Sequence, residues 1–253
     1  MRYEGTVYRP PSEAGSLIIQ LTIGCARNTC TFCNMYKDKK FRIRPLEEVA
    51  EDLEMARKYY SHIKVRRIFL ADGDALIVKT QDLLYILDKC HEYFPEVERI
   101  SVYGAPKDIL GKTPEELKQL KDAGLDMVYM GLESGDDDVL KEVKKGVTSE
   151  EMIAAGIKVR EAGMILSMTI ISGLGGKKTL ERTRPEQRPC HFCHQTGICG
   201  LFDTDGRARN RTLRPVQQRR SGTLRPSRSI GRNRAVHPQC RRGRHHVPCK
   251  PRF

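Results

Sequence analysis

TPEELKQLKDAGLDMVYMGLESG, residues 113–135, spells out one complete helix-to-strand unit. Thr113 is a helix-capping residue type, and Pro114 suits the first helical position, where its missing N–H is no loss. Glu116 stands three residues after the cap, the spacing of a reciprocal capping box. The helix stops at Ala123-Gly124, glycine being the residue that most readily takes the left-handed stop. DMVYMGLESG (Asp126–Gly135) then reads as an apolar strand. A similar unit follows: TSEEMIAAGIKVREAG (Thr148–Gly163), capped by Thr148, ends at Ala162-Gly163, 39 residues after Ala123-Gly124, and MILSMTIISGLGG (Met164–Gly176) follows as a strand.

Upstream, the same alternation continues. SLIIQLTI (Ser16–Ile23) is an apolar run of strand length. LEEVAEDLEMARKYY (Leu46–Tyr60) has helical spacing at Leu46, Val49, Leu53 and Ala56, with acids in its first turn. RRIFLADGD (Arg66–Asp74) and RISVYGA (Arg99–Ala105) read as strands, Thr80–Phe94 as a helix and Asp136–Lys145 as a short one. Strands alternating with helices of this length specify an α/β fold with a parallel sheet. Ligands in such folds sit at the carboxyl ends of the strands. The stretches to inspect are therefore Gly24–Tyr36, Asp72–Asp74, Gly104–Lys107, Glu133–Ser134 and Ser172–Gly176, all of them polar, small or Cys-rich.

Composition bounds the rest. The chain has 253 residues, 39% hydrophobic and 30% charged, with no Trp. No run approaches the roughly 18 apolar residues of a membrane-spanning helix, so no membrane partner is expected. The N-terminal MRYEGTVYRPPSEAGS has no apolar h-region, so a cytoplasmic location is the expectation. Nine cysteines without an export signal favour metal or redox chemistry over a disulfide framework.

After the first of these strands comes Gly24-Cys25-Ala-Arg-Asn-Thr-Cys30-Thr-Phe-Cys33-Asn-Met-Tyr36. Three thiolates from one loop can hold three irons of a cubane [4Fe–4S] cluster and leave the fourth iron open. A structural zinc would need a fourth ligand from elsewhere, and a reduced, partly buried cysteine trio is the third possibility. Blander roles exist for the neighbours too. Asp72 and Asp74 suit a turn, Glu133 a buried salt bridge, and Met35 and Tyr36 packing. Cys90 reads as an inert helical cysteine and His62 as a solvated loop residue.

A strand ending in Gly-Cys, followed by Cys30-Thr31-Phe32-Cys33 with an aromatic before the last cysteine, resembles the radical S-adenosylmethionine (radical SAM) superfamily. Asp72-Gly73-Asp74 stands where that family binds the amino group of S-adenosylmethionine. Gly131-Leu132-Glu133-Ser134 looks like the motif near the ribose and methionine portion, and Ile171-Ser172-Gly173 like the one along the adenine. YRPPSEA, NMYKDKKFR and GLESG are together most similar to a bacterial group related to the Elp3 and MiaB branch. The spacing departs from the commonest C-x3-C-x2-C, since four residues separate Cys25 from Cys30.

The resemblance implies a partial TIM-type (β/α) barrel of five β/α units over residues 16–177, preceded by an extension at 1–15. It implies a [4Fe–4S] cluster on Cys25, Cys30 and Cys33. It also implies S-adenosylmethionine bound near Phe32, Met35, Asp72, Gly73, Asp74, Glu133, Ser134 and Gly173. Reductive cleavage of that cofactor would yield a 5′-deoxyadenosyl radical that takes hydrogen from a substrate the sequence does not name. An electron donor such as flavodoxin or ferredoxin is the implied partner. A methylthiotransferase-like tRNA-modifying enzyme is an alternative within the superfamily, and a zinc-knuckle nucleic-acid binder with a basic arm is one outside it.

Residues 178–253 are a different material. They carry 19 Lys and Arg against 4 Asp and Glu, which is the whole basic excess of a chain of net charge +13. Leu, Ile, Val, Phe and Met make up 12 of these 76 residues, below the roughly 20% floor for a folding segment. Cys190, His191, Cys193, His194, Cys199, Cys240, His245, His246 and Cys249 invite a metal-site reading, and the arginines an RNA-binding one. We read the segment instead as a shifted frame. Back-translated and read one nucleotide later, Ile198–Leu213 permits YVGFLTLMVEPGTELY, the stretch after Lys178 permits KHWNEHAL, and VPCKPRF permits a residue followed by HANHAS. That reading expects a low-order basic tail, no sixth strand, and an unpaired sheet edge at Met164–Gly176.

Overall fold

The computed structural model describes residues 1–171, 173–176 and 200–202. Strand β1 (Leu17–Gln20) leads into β2 (Thr22–Ile23), β3 (Arg42–Ile43) and helix α1 (Leu46–Tyr59). There follow β4 (Arg67–Ala71), α2 (Thr80–Tyr93), β5 (Arg99–Tyr103), α3 (Pro106–Gly111), α4 (Pro114–Asp122) and β6 (Leu125–Glu133). Then come α5 (Asp137–Glu142), α6 (Ser149–Glu161), β7 (Ile165–Ile171) and β8 (Gly200–Phe202). The main sheet runs β1-β4-β5-β6-β7-β8, and each adjacent pair is parallel. It is the expected α/β partial TIM-type barrel.

Both expected caps form. Thr113 and Glu116, and Thr148 and Glu151, exchange reciprocal hydrogen bonds at the starts of α4 and α6. Gly124 and Gly163 take the left-handed conformation, with φ of +96° and +83°, and turn the chain into β6 and β7.

Alternation along the strands divides the core in two. Ile68 and Leu70 of β4, Ile100 and Val102 of β5, and Val128, Met130 and Leu132 of β6 pack outward against the helices. Phe69, Ala71 and Tyr129 face the other side, with Val7, Ile18, Tyr103 and Met127 beside them. Phe69, Tyr103 and Tyr129 meet edge to face, with ring centroids 4.9–6.2 Å apart. Below this aromatic floor the fully buried Glu13 accepts hydrogen bonds from Tyr129 (2.6 Å), Arg99 (2.8 Å), Ser101 (3.0 Å) and Ser16, pinning the N-terminal segment to the sheet.

Two expectations are corrected, at Ser16–Ile23 and at the edge of β7. The run Ser16–Ile23 is two strands, because Leu21 changes partner. Its N–H bonds the Ala71 carbonyl of β4, but its own carbonyl accepts from Arg44, so Thr22–Ile23 pairs antiparallel with Arg42–Ile43. The stretch after β5 coils into α3, with Pro106 at its start. The edge of β7 is not bare. Thr169, Ile170 and Ile171 pair with Gly200, Leu201 and Phe202, so an exposed ladder finds an extended partner within the basic segment. The other tail readings, including the cysteine and histidine sites and the rest of the shifted-frame stretch, lie outside the described residues. Among the described residues no helix is long and apolar enough to cross a membrane.

Candidate active site

The cysteine loop leaves β2 at the carboxyl end of the sheet and is tied down from two sides. On one, Thr31 N–H donates to the Val143 carbonyl (3.0 Å) and the Thr29 hydroxyl to the Lys144 carbonyl (3.4 Å), so the turn after α5 straps it. On the other, Lys37 donates to Asn28 O and Asn28 Nδ2 to Tyr36 O, both at 2.6 Å. Cys25, Cys30 and Cys33 are free thiols, each half-buried. Burial pushes the Cys30 pKa up, Lys145 opposes this, and Cys25, Cys33 and Glu133 add to it. The three thiols and the end of β6 therefore share one small region.

The turn after β4 lies directly beneath. Asp72 is fully buried, and its Oδ2 accepts from Lys39 Nζ (2.9 Å), Gly24 N (3.0 Å) and Gln20 Nε2 (3.3 Å). A Cβ on Gly73 would sit 2.8 Å from Cys25 Cβ and 2.8 Å from Tyr36 Cε2, so only glycine lets the turn approach the loop this closely. Asp74 is also fully buried, and its Oδ1 accepts from Ala105 N at 3.1 Å. Burial raises the Asp74 pKa well above its ordinary value, and the neighbouring Asp108 raises it further, against Ala105 N–H and Arg27. Tyr36 is buried against Tyr8, and burial and the nearby Asp72 carboxylate push its phenol pKa up.

At the end of β6, Glu133 sits at φ +64° beside a register shift and pairs with Lys145 at 3.0 Å. Ser134 is buried, with its hydroxyl accepting from Asp136 N at 3.1 Å. Phe32 and Met35 are half-buried in the cysteine loop, and Gly173 is exposed in the turn after β7. Asp72, Ser134 and Gly173 follow the carboxyl ends of parallel strands, and Glu133 is the last residue of β6. Cys90 lies fully buried on α2, its pKa raised to about 12 by burial, and is inert packing. His62 is exposed.

Sequence reasoning missed Arg27, Lys39, Asp108 and Lys145. Asp108 lies one residue beyond the strand-end stretch Gly104–Lys107, and Lys39 lies inside a stretch quoted only for its family likeness.

The donor set fits an iron–sulfur cubane with an S-adenosylmethionine beside it. Among the described residues no three His, Cys, Asp or Glu side chains converge on one ion. A cubane takes each thiolate on a different iron, and three thiolates from one loop suit it. Seven buried side-chain polar atoms of the described residues lack a hydrogen-bond partner, and five of them are here: Arg27 Nε, Tyr36 Oη, Asp72 Oδ1, Asp74 Oδ2 and Asp108 Oδ2. Tyr36 lies against Asp72 and Asp74 against Asp108, so four of these five atoms belong to two mutually facing pairs.

The sequence profile of the Radical SAM superfamily matches residues 19–182. The 4′-phospho-dehydrooxetanocin synthase of Priestia megaterium is 30% identical over 204 residues, which cover 69% of this chain and 27% of that protein. A Methanocaldococcus jannaschii protein that bears the name "putative methylthiotransferase" is 26% identical over 167 residues, covering 63% of this chain and 35% of that one. The chain thus spans between a quarter and about a third of these relatives' lengths. Among solved structures, the radical S-adenosylmethionine methyltransferase TsrM from Kitasatospora setae superposes with a TM-score of 0.56 at 19% identity. The match covers 74% of this chain and 36% of that one, and that structure holds cobalamin and a [4Fe–4S] cluster.

Proposed function

The chain belongs to the radical SAM superfamily, and from that premise we propose that Cys25, Cys30 and Cys33 hold a [4Fe–4S] cluster beside which S-adenosylmethionine binds. When bound, the pair supplies one-electron cleavage of a sulfonium S–C bond and, from it, hydrogen abstraction from a substrate. The protein's share is position, charge and exclusion of water. Asp72 locks the cysteine loop by holding Gly24 N–H and Lys39 on one oxygen. Gly73 lets the strand end reach the loop, and Asp74 stands at the same turn with its carboxyl against Asp108. Glu133, Ser134 and Gly173 line the remaining strand ends, where ribose and adenine would lie, and Phe32 and Met35 shield the loop. The substrate would face the aromatic inner surface of Phe69, Tyr103 and Tyr129. A flavodoxin- or ferredoxin-type donor would bring the electron.

The observation that carries this reading is the coincidence of three free, half-buried cysteines in one loop with the buried Asp72–Asp74 turn packed against that loop. The test is anaerobic incubation of the iron- and sulfide-loaded chain with S-adenosylmethionine and dithionite, with chromatography for methionine and 5′-deoxyadenosine. Reductant-dependent formation of both supports the proposal. Neither product from a fully loaded chain contradicts it.

A further inference from the structure

Strand β1 ends the main sheet, and among the described residues no strand pairs with its outer side. The chain before it covers that side. Arg2 N–H donates to Asp52 Oδ1 on α1 at 2.9 Å, which fixes one end. Tyr3 Oη then donates to the Ile18 carbonyl (2.7 Å), and Glu4 exchanges hydrogen bonds with the Gln20 side chain (2.9 and 3.2 Å). Lys39 Nζ, already on Asp72, also donates to the Thr6 carbonyl at 2.6 Å. Val7 packs on the inner face against the group of Phe69, Ala71 and Tyr129. Ser12 Oγ lies 2.8 Å from Tyr129 Oη, and the buried Glu13 fixes the other end. Among the described residues, residues 2–9 make no hydrogen bond from main chain to main chain. They are a strap held by side chains, not a further strand. The strap crosses the inner face from the carboxyl end of the sheet toward Arg99 at the start of β5.

Tyr8 is the aromatic residue of this strap that reaches the cysteine loop. Its ring stands edge-on to Tyr36, with centroids 5.5 Å apart. Tyr36 is 5% exposed, and a Cβ on Gly73 would lie 2.8 Å from both its Cε2 and Cys25 Cβ, so Tyr36 and Cys25 pack side by side over one glycine. Tyr8 is thus an outer layer over Tyr36, and Tyr36 an inner layer beside the cysteine. A cluster's potential depends on its exposure to solvent, and a closed site protects a reactive intermediate from side reactions. We propose that residues 5–12 are the side wall of the chamber over the inner face, closing it where the sheet ends at β1, and that the Tyr8 ring shields Cys25 from solvent through Tyr36. The inference rests on the function proposed above for that chamber. It makes the extension before β1 a part of the site, and Tyr8 a positioning residue within it.

Alkylation of the metal-free full chain by iodoacetamide, followed cysteine by cysteine by mass spectrometry, tests the shield without a cluster. Thiol reactivity follows access and thiolate fraction. Tyr8→Ala is expected to speed alkylation of Cys25 severalfold. Cys30 should keep the wild-type rate, since the Thr29 and Thr31 bonds on either side of it tie it to the turn after α5 instead. Fully buried Cys90 should stay unreactive, which reports an intact fold. Tyr8→Phe keeps the ring and should behave as the wild type. In the reconstituted chain, Tyr8→Ala should also lose iron to a chelator severalfold faster than the wild type, and Tyr8→Phe should not. A wild-type rate at Cys25 in Tyr8→Ala overturns the shield. So does an equal rise at Cys25, Cys30 and Cys90, the mark of general loosening. A chain that takes up no iron refutes the proposed function, whereas the alkylation pattern, read without metal, decides the shield by itself.

Discussion

Lys39 Nζ lies 2.9 Å from Asp72 Oδ2, with the lysine side chain 7% exposed and the aspartate fully buried. This ion pair joins the far side of the cysteine loop to the end of β4. Both charges have left water, and removing one leaves the other buried and alone, which costs about 3–5 kcal/mol in such settings. Asp72→Asn is therefore expected to lower unfolding free energy by an amount of that order in urea titration. It should also release the loop to proteolysis between Cys25 and Phe41. A variant as stable as the wild type would show that the pair holds nothing.

Gly73→Ala separates loop placement from overall folding. The added methyl would meet Cys25 Cβ and Tyr36 Cε2 at 2.8 Å and the Gly24 carbonyl at 3.0 Å, contacts too close to persist. The cysteine loop, not the sheet, is expected to move. Iron loading should fall severalfold while far-UV circular dichroism stays unchanged, and full loading would contradict the close approach.

Glu13 supplies a pH dependence. Burial alone would raise its pKa, but hydrogen bonds from Ser16 and Tyr129, the Arg99 charge and the Ser101 hydroxyl lower it on balance. A depressed carboxyl stabilises the fold above its unfolded value of about 4.3, and that contribution is lost as pH falls through the folded value. Glu13→Gln is expected to melt well below the wild type at pH 7. The gap should narrow as melts are taken from pH 5 toward pH 3, and a constant gap would contradict this account.

Thr148→Ala removes the hydroxyl that accepts from Glu151 N at 3.1 Å at the start of α6. The loss of such a cap is worth about 1 kcal/mol. Denaturant titration should show a drop of that size with iron content unaffected, and no drop would mean that the cap is idle.

The elements that were legible carry their signals locally. Thr113 with Glu116, Thr148, and the glycines at 124 and 163 mark helix ends from neighbours a few residues away. The three cysteines announce themselves by type and spacing. What escaped depends on partners distant in the chain. Leu21 changes strands because Ala71 and Arg44 meet it in space. Gly200–Phe202 is a strand because β7 offers it a ladder, and its composition alone gave no such sign. Arg27 and Asp108 look like solvated loop charges until α3 brings them to 3.7 Å.

The central claim is that Cys25, Cys30 and Cys33 together hold one cubane. Its most direct test is iron, sulfide and zinc analysis of the anaerobically reconstituted chain beside Cys30→Ala. The expected result is about four irons and four sulfides per chain in the wild type, the composition of a [4Fe–4S] cluster, with no zinc and with loading abolished in the variant. Full cluster loading in Cys30→Ala, or a colourless wild type carrying stoichiometric zinc, would contradict it.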